Sequence, residues 1–419
     1  MGGLPRVVIV SEHASTRFGG EACLPWHYFR ILRDRGADAH LVVHGRAADE
    51  LRGFRPADAD RMHFLPDTRL DRLACRLGGH LPAQIAYITA GYASRISTQR
   101  AARRVVRRLV AGGGVDVVHQ PIPVSPREPS LMYGLGVPVV IGPMNGNMSY
   151  PPAFAAAGRR AVGAAVAAAR GAAGLLNRLM PGKLRAAALL VANERTRRGL
   201  PAGVRGEVIE LVENGVDLSV WSPADRPPAA GPARFVFLGR LVDWKAVDLL
   251  LEAFARVTAA PRPVLEVVGD GPMRPALEAL ADRLGVRDRV EFAGWRPQPE
   301  CAARLRAADA LVLPSLYECG GAVVLEAMAC GLPVIATAWG GPADYLDDSC
   351  GILVRPDSRD GLVAGLADGM SRLAADPGLR RRLGRAGRAK VEREYDWEAK
   401  VDRMLEVYRR AMAAHPGGR

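Results

Sequence analysis

ALVLPSLYECGGAVVLEAMACGLPVIAT, residues 310–337, holds a β-branched run, a glycine pair, an eight-residue apolar helix pattern and a second β-branched run. Two short apolar strands joined by a helix form a crossover unit, and such units build parallel sheets. The helix AVVLEAMA is apolar on every side apart from Glu326, which implies burial. A carboxylate is seldom buried without a partner, so Glu326 needs something to face. Glu318 precedes it by eight positions across Gly320-Gly321. Helical side chains lean toward the helix N-terminus. Both carboxylates can therefore address one ligand seated over the glycine pair, and a carboxylate suits the adjacent hydroxyls of a ribose or hexose. The purely structural alternative has Glu318 favouring the helix dipole and Glu326 paired with a buried arginine.

The same strand–helix alternation extends in both directions. Upstream of residue 222 the strands are read as VVIV (7–10), AHLVVH (39–44), VDVVH (115–119), PVVIG (138–142) and ALLVAN (188–193). A second series runs RFVFLGR (234–240), VLEVVGD (264–270), RVEFAG (289–294), ALVLPS (310–315) and PVIAT (333–337). Between them WSPADRPPAAGPA, 221–233, reads as a linker. The expected architecture is α/β, two doubly wound Rossmann-like domains facing across a cleft. Residues 1–222 form an N-terminal acceptor-side domain, 223–396 a C-terminal donor domain, and 397–419 a crossover helix packing back toward the first domain. In that helix Trp397, Met404, Leu405, Tyr408 and Met412 form a stripe that core packing explains. Open α/β sheets bind ligands beyond the carboxyl ends of their strands, so function is sought in those loops.

At 419 residues the chain exceeds one ordinary core. Its formal charge is +13, nearly all of it arginine, since lysine occurs only at 183, 245, 390 and 400. That charge suits anionic partners, yet no basic stretch is interleaved with aromatics, and nucleic acid is not expected. The basic stretches QRAARRVVRRLVAGG (99–113) and GRRAVGAAVAAARGAAGLLNRLMPGKLR (158–185) could rest on anionic lipid. A lid or solvated helix is the favoured reading of both, because no Trp or Phe anchors the second. Six scattered cysteines without metal spacing indicate a reduced, cytoplasmic protein. The lone Asp-x-Asp, Asp58 to Asp60, lies in a polar loop, reads as a surface turn, and no metal is expected.

In FLGRLVDWKAVDLLLEAF, Arg240 and Lys245 occupy a strand-to-helix loop. A diphosphate there would meet two cations and a helix N-terminus, and these contacts would strengthen as it departs with more charge. The alternative is two solvated surface charges. VVGDGPMRPALEAL fails the dinucleotide fingerprint because Arg274 stands at its third glycine.

Taken in order, GRLVDWK, VVGDGPMR, VEFAGW, the Glu318–Glu326 pair and GLPVIAT resemble the family 4 retaining glycosyltransferases of the GT-B fold, also called glycosyl transferases group 1. FGGEACLPWHYFRILRDRGADAHLVV (18–43) and ENGVDLSVW (213–221) extend the likeness through the first half. The resemblance implies a metal-independent enzyme that moves a sugar from a UDP- or GDP-sugar to a glycan, lipid-linked or small-molecule acceptor. It implies that Arg240 and Lys245 hold the donor diphosphate, Glu326 the ribose and Glu318 the sugar, with amides of Cys319, Gly320, Gly321 and Ala322 aiding the phosphate. Gly19 and Gly20, in the loop after Phe18, would close over the phosphates, and Gly294 and Trp295 would meet the base. Two departures stand out. Gly320 occupies a place where the family commonly has an aromatic. GPMNGNMSYPP lacks the family's histidine, so Met144 or Asn145 fills that place, Asn145 as a sugar ligand or as a turn residue. His119 is the nearest other histidine, on the acceptor side or as a satisfied strand-end residue. An epimerase or phosphorylase of the same fold, or an inactive nucleotide-binding subunit, is the alternative.

Overall fold

The computed structural model describes residues 3–15, 20–68, 90–155, 173–224 and 231–415, with residues 90–93 described in backbone only. Contacts divide the chain into two compact units. The first comprises Met1–Asn147, Ala161–Glu213 and Val401–Arg419, and the second Met148–Arg160 and Asn214–Lys400. The division by contacts passes between Glu213 and Asn214. The segment beginning at Met148 belongs with the second unit although the chain there is still in its first half.

Seven parallel strands make the first sheet, in the order β3-β2-β1-β4-β5-β6-β7. They are β1 (Val7–Val10), β2 (Ala39–His44), β3 (Met62–Leu65), β4 (Val117–Gln120), β5 (Val139–Met144), β6 (Ala188–Val191) and β7 (Glu207–Glu210). Helix α1 (Leu24–Asp34) starts with Pro25 in its first turn, where a missing N–H costs nothing, and buries Trp26, Tyr28, Phe29, Ile31 and Leu32. Helix α2 (Ala90–Ala111) packs Ala102 and Val106 into the core that Val8, Val118 and Ile141 share.

Six parallel strands make the second sheet, in the order β10-β9-β8-β11-β12-β13. They are β8 (Arg234–Leu238), β9 (Val264–Val268), β10 (Val290–Gly294), β11 (Ala310–Leu313), β12 (Val334–Thr337) and β13 (Gly351–Val354). Here α3 (Val247–Ala255) follows β8 and α4 (Ala322–Ala329) follows β11. The sequence omits β3, β7 and β13, and each lies at a sheet edge. Edge strands such as β7, exposed at both of its ends, need no continuous apolar run and so leave no such signal.

The last helix, α5 (Trp397–Ala413), begins in the second unit, where Trp397 packs on Gly215, and from Val401 onward belongs to the first. Trp397, Met404, Leu405 and Tyr408 of its stripe are buried, as core packing requires.

Candidate active site

In both sheets the strand order reverses at one point, between β1 and β4 and between β8 and β11. At such a switch the connections leave in opposite directions and open a crevice at the carboxyl ends. Arg240 and Lys245 follow β8, and Glu318 follows β11, so the switch point brings them together. Leu316 N donates to Trp244 O at 2.8 Å and joins the two loops. Lys245 Nζ donates to Glu318 Oε2, with both side chains 15 % exposed. Arg240 is exposed, and its guanidinium has no polar partner among the described residues.

Two helices start at this point, and neither has a side-chain cap. Ala246 precedes α3 in the left-handed region at φ 51°, and Gly321 precedes α4 at φ 75°. At α4 the first backbone N–H groups have no N-cap side chain as acceptor, a favourable setting for an anion, whereas in the first turn of α3 the Asp248 carboxylate accepts from backbone N–H groups. Every residue of α4 from Val323 to Ala329 is buried except Glu326, which is partly exposed. No hydrogen bond or ion pair reaches the Glu326 carboxylate among the described residues. Burial pushes its carboxyl up to about 7. The buried arginine of the structural alternative is not there.

Backbone lies directly on backbone throughout this region. A Cβ on Gly269 would stand 1.9 Å from Gly239 O, and one on Gly341 would stand 2.1 Å from Gly320 O. Gly269 N donates to Gly294 O at 2.9 Å, which ties the end of β10 to the same cluster of loops. Gly294 sits at φ 74°, and Trp295 beyond it is 62 % exposed. Cys319 and Ala322 are partly exposed, while Gly320 is buried beneath them.

Sequence reasoning missed three residues here. Met148 reaches Gly340, where a Cβ would stand 2.7 Å from its Cε. Tyr150 packs against Tyr317, ring centroids 5.1 Å apart and tilted by 34°. Trp339 Nε1 donates to Ser149 O at 2.8 Å and holds that strand of chain in place. Only the position of Tyr317, directly before Glu318, offered any hint.

The first unit revises the other expectations. Met144 ends β5 with its side chain wholly inside the core. His119 is fully buried. Its Nε2–H donates to Gly142 O at 2.6 Å and its Nδ1 accepts from Tyr408 Oη at 2.7 Å. Burial lowers its pKa to about 4, outweighing the Gly142 carbonyl, so it is neutral and structural rather than an acceptor-side group. Asn145 is buried too, with Nδ2 donating to Glu213 Oε1 at 2.9 Å and Oδ1 accepting from Arg195 Nη2 at 3.1 Å. Its amide fastens the β5 and β6 loops together, which is more than a turn requires. Gly20 is exposed at φ 52°, whereas Phe18 and Gly19 lie outside the described residues. Asp58 is no surface turn: it is buried, and Arg33 Nε at 2.9 Å and Arg55 Nε at 2.6 Å clamp it. Among the described residues no three His, Cys, Asp or Glu side chains converge as a metal site would require.

Residues 223–390 match the family model described as Glycosyl transferases group 1. A D-inositol 3-phosphate glycosyltransferase of Kribbella flavida is 35 % identical over 226 residues, covering 50 % of this chain and 52 % of that protein. The chain thus spans about half the length of the curated relatives it matches. Two solved structures cover nearly all of it. Sucrose-phosphate synthase of Thermosynechococcus elongatus superposes with a TM-score of 0.67 at 21 % identity, over 98 % of this chain and 99 % of its own. Anabaena Alr3699/HepE in complex with UDP does so at 0.66 and 16 %, over 96 % and 99 %. Two doubly wound units with these partners constitute the GT-B architecture.

Proposed function

We propose, from the match of residues 223–390 to the glycosyl transferases group 1 model, that the protein transfers a sugar from a nucleoside diphosphate to an acceptor with retention of anomeric configuration. The observation that carries this reading is the set at the β8/β11 switch point: Arg240 unpartnered, Lys245 joined to Glu318, and Glu326 unpartnered in an apolar helix. A surface with only a structural role would leave no partly buried carboxylate unsatisfied.

Lys245 and Glu318 pair and neutralise each other. Donor entry exchanges that pair for two contacts with the ligand. Lys245 and Arg240 turn to the diphosphate, and Glu318 accepts from the sugar hydroxyls. Glu326 accepts from the ribose diol. As the bond between the anomeric carbon and the phosphate oxygen breaks, the leaving diphosphate gains negative charge, and both cations bind it more strongly than before. Interactions that strengthen in this way lower the barrier. The departing phosphate oxygen receives the proton of the acceptor hydroxyl, which attacks on the same face. The two cations carry the charge in this scheme, and no resident metal is included. A uridine donor is the first to test, because UDP occupies the solved Anabaena protein of the same fold.

Incubation with UDP-, GDP- and ADP-glucose, followed by mass spectrometry, tests the proposal. Slow hydrolysis of at least one donor is expected. Neither turnover nor binding with any of the three would end the transferase reading.

A further inference from the structure

Helix α2 runs for 22 residues, carries Arg95, Arg100, Arg103, Arg104, Arg107 and Arg108, and contains no acidic residue. Arg95 is accounted for by Glu128, at 3.0 Å. Arg103 is held in place, with Nη2 donating to Tyr133 O at 2.6 Å and its guanidinium 4.2 Å from the Tyr133 ring centre. Arg100, Arg104, Arg107 and Arg108 are exposed and have no ion pair among the described residues. Arg100, Arg103, Arg104 and Arg107 share one helical face, at the spacing of neighbours on a helix. They line a cavity of about 520 Å³ together with Leu179 and Met180.

Beside that cavity, helical residues 173–179 present Leu175 and Leu179, which are 61 % and 67 % exposed. They stand four residues apart on one face, and Arg178 beside them is exposed as well. Two bare leucines bordering an arginine-lined hollow satisfy neither a solvated surface nor a small anion. Unpartnered arginines attract anionic head groups, and leucines of this exposure gain by entering the acyl boundary beneath them.

We propose that this face, formed by α2 and residues 173–179, docks on an anionic phospholipid bilayer, with a head-group phosphate in the arginine-lined cavity and Leu175 and Leu179 in the interface. Net charge of +13 supplies the longer-range attraction. Among the described residues no helix is long and apolar enough to cross a membrane, so the contact is peripheral. The proposal is independent of the reaction assigned to the second unit.

Co-sedimentation of the full chain with vesicles of phosphatidylcholine, with and without phosphatidylglycerol, provides the test. The protein is expected to pellet with the anionic vesicles and stay in solution with the neutral ones. The double variant Arg104→Gln/Arg107→Gln should weaken vesicle binding about thirtyfold, from about 1 kcal/mol per arginine near an anionic surface. Leu175→Ser/Leu179→Ser should weaken it about tenfold while leaving donor hydrolysis and melting temperature unchanged. Failure to pellet with anionic vesicles overturns the proposal. So does wild-type vesicle binding by the leucine variant, or complete release by millimolar inorganic phosphate, which would assign the cavity to a soluble anion. Tighter retention on a DNA duplex, insensitive to the leucine variant, would assign it to nucleic acid instead.

Discussion

Replacing Glu326 by Gln should make the protein more stable and a poorer binder of its donor. The carboxyl is pushed by burial from 4.5 up to about 7 in the folded chain. Below pH 4.5 both folded and unfolded forms hold the proton, and the group contributes nothing. As pH rises from 4.5 toward 7 the unfolded chain loses its proton first, so stability falls, and above 7 the cost is constant. Taken whole, the shift amounts to about 3 kcal/mol. Water at the partly exposed edge of Glu326 screens some of it, leaving about 2 kcal/mol. The amide removes this cost. Glu326→Gln should therefore melt about 4–8 °C higher than wild type at pH 8 and about equally at pH 4.5. Scanning calorimetry at the two pH values, resolving the second unit's transition, reads the difference. Binding should move the opposite way. A neutral amide loses the charge-assisted bonds to the ribose diol, at about 1.5–3 kcal/mol each. Affinity for the free nucleoside diphosphate should drop tenfold or more. A variant that melts lower at pH 8, or binds the nucleotide as tightly as wild type, would show that Glu326 serves a protein partner and refute the reasoning.

Lys245→Ala should reduce donor turnover about a hundredfold and donor affinity much less, because its charge acts mainly on the departing diphosphate; steady-state kinetics and nucleotide titration separate the two effects. An equal loss in both would make Lys245 a binding residue only. Gly341→Ala should cost about 1–3 kcal/mol and most of the activity, since its Cβ would stand 2.1 Å from Gly320 O and displace the Glu318 loop. Unaltered activity in a folded variant would contradict the close packing of those loops. His119 imposes the opposite pH dependence to Glu326. It stays neutral down to about 4, while the unfolded chain protonates near 6.5. Stability is therefore complete above pH 6.5 and falls by about 3 kcal/mol as pH approaches 4. In His119→Gln that acid-side slope should be shallower by one proton, measured by unfolding of the first unit between pH 4 and 7, with donor hydrolysis at pH 7.5 retained.

The interior strands were legible because a strand covered on both faces must be apolar along its length, as β1 and β11 are. Edge strands escape that demand, and MHFL and EVIE were passed over; GILV, apolar throughout, was passed over as well. The pairing of Lys245 with Glu318 was foreseeable from topology, since both lie on loops at one switch point. Asn145 and Tyr150 were not. The first is committed to Glu213 and Arg195, 68 and 50 residues away, and the second meets Tyr317 across an even longer separation. Such partners obey no local period, so nothing in the chain near residue 145 announces them. His119 was open between two roles until Tyr408 and Gly142 were seen on its two nitrogens.

The glycine contacts beneath the β8/β11 crevice also govern how this protein can be changed. Gly269, Gly271, Gly340 and Gly341 each press a backbone carbonyl so closely that a methyl group would stand within 2.4 Å of it. A mutational library spread over those positions would return mostly inactive clones, whatever the sugar on offer. Diversity that alters donor choice must instead enter at Trp295, Tyr317, Cys319 and Ala322, whose side chains are at least partly exposed on top of that floor. Divergence in sugar preference among proteins sharing this crevice should accordingly concentrate at those four places, while the floor stays invariant.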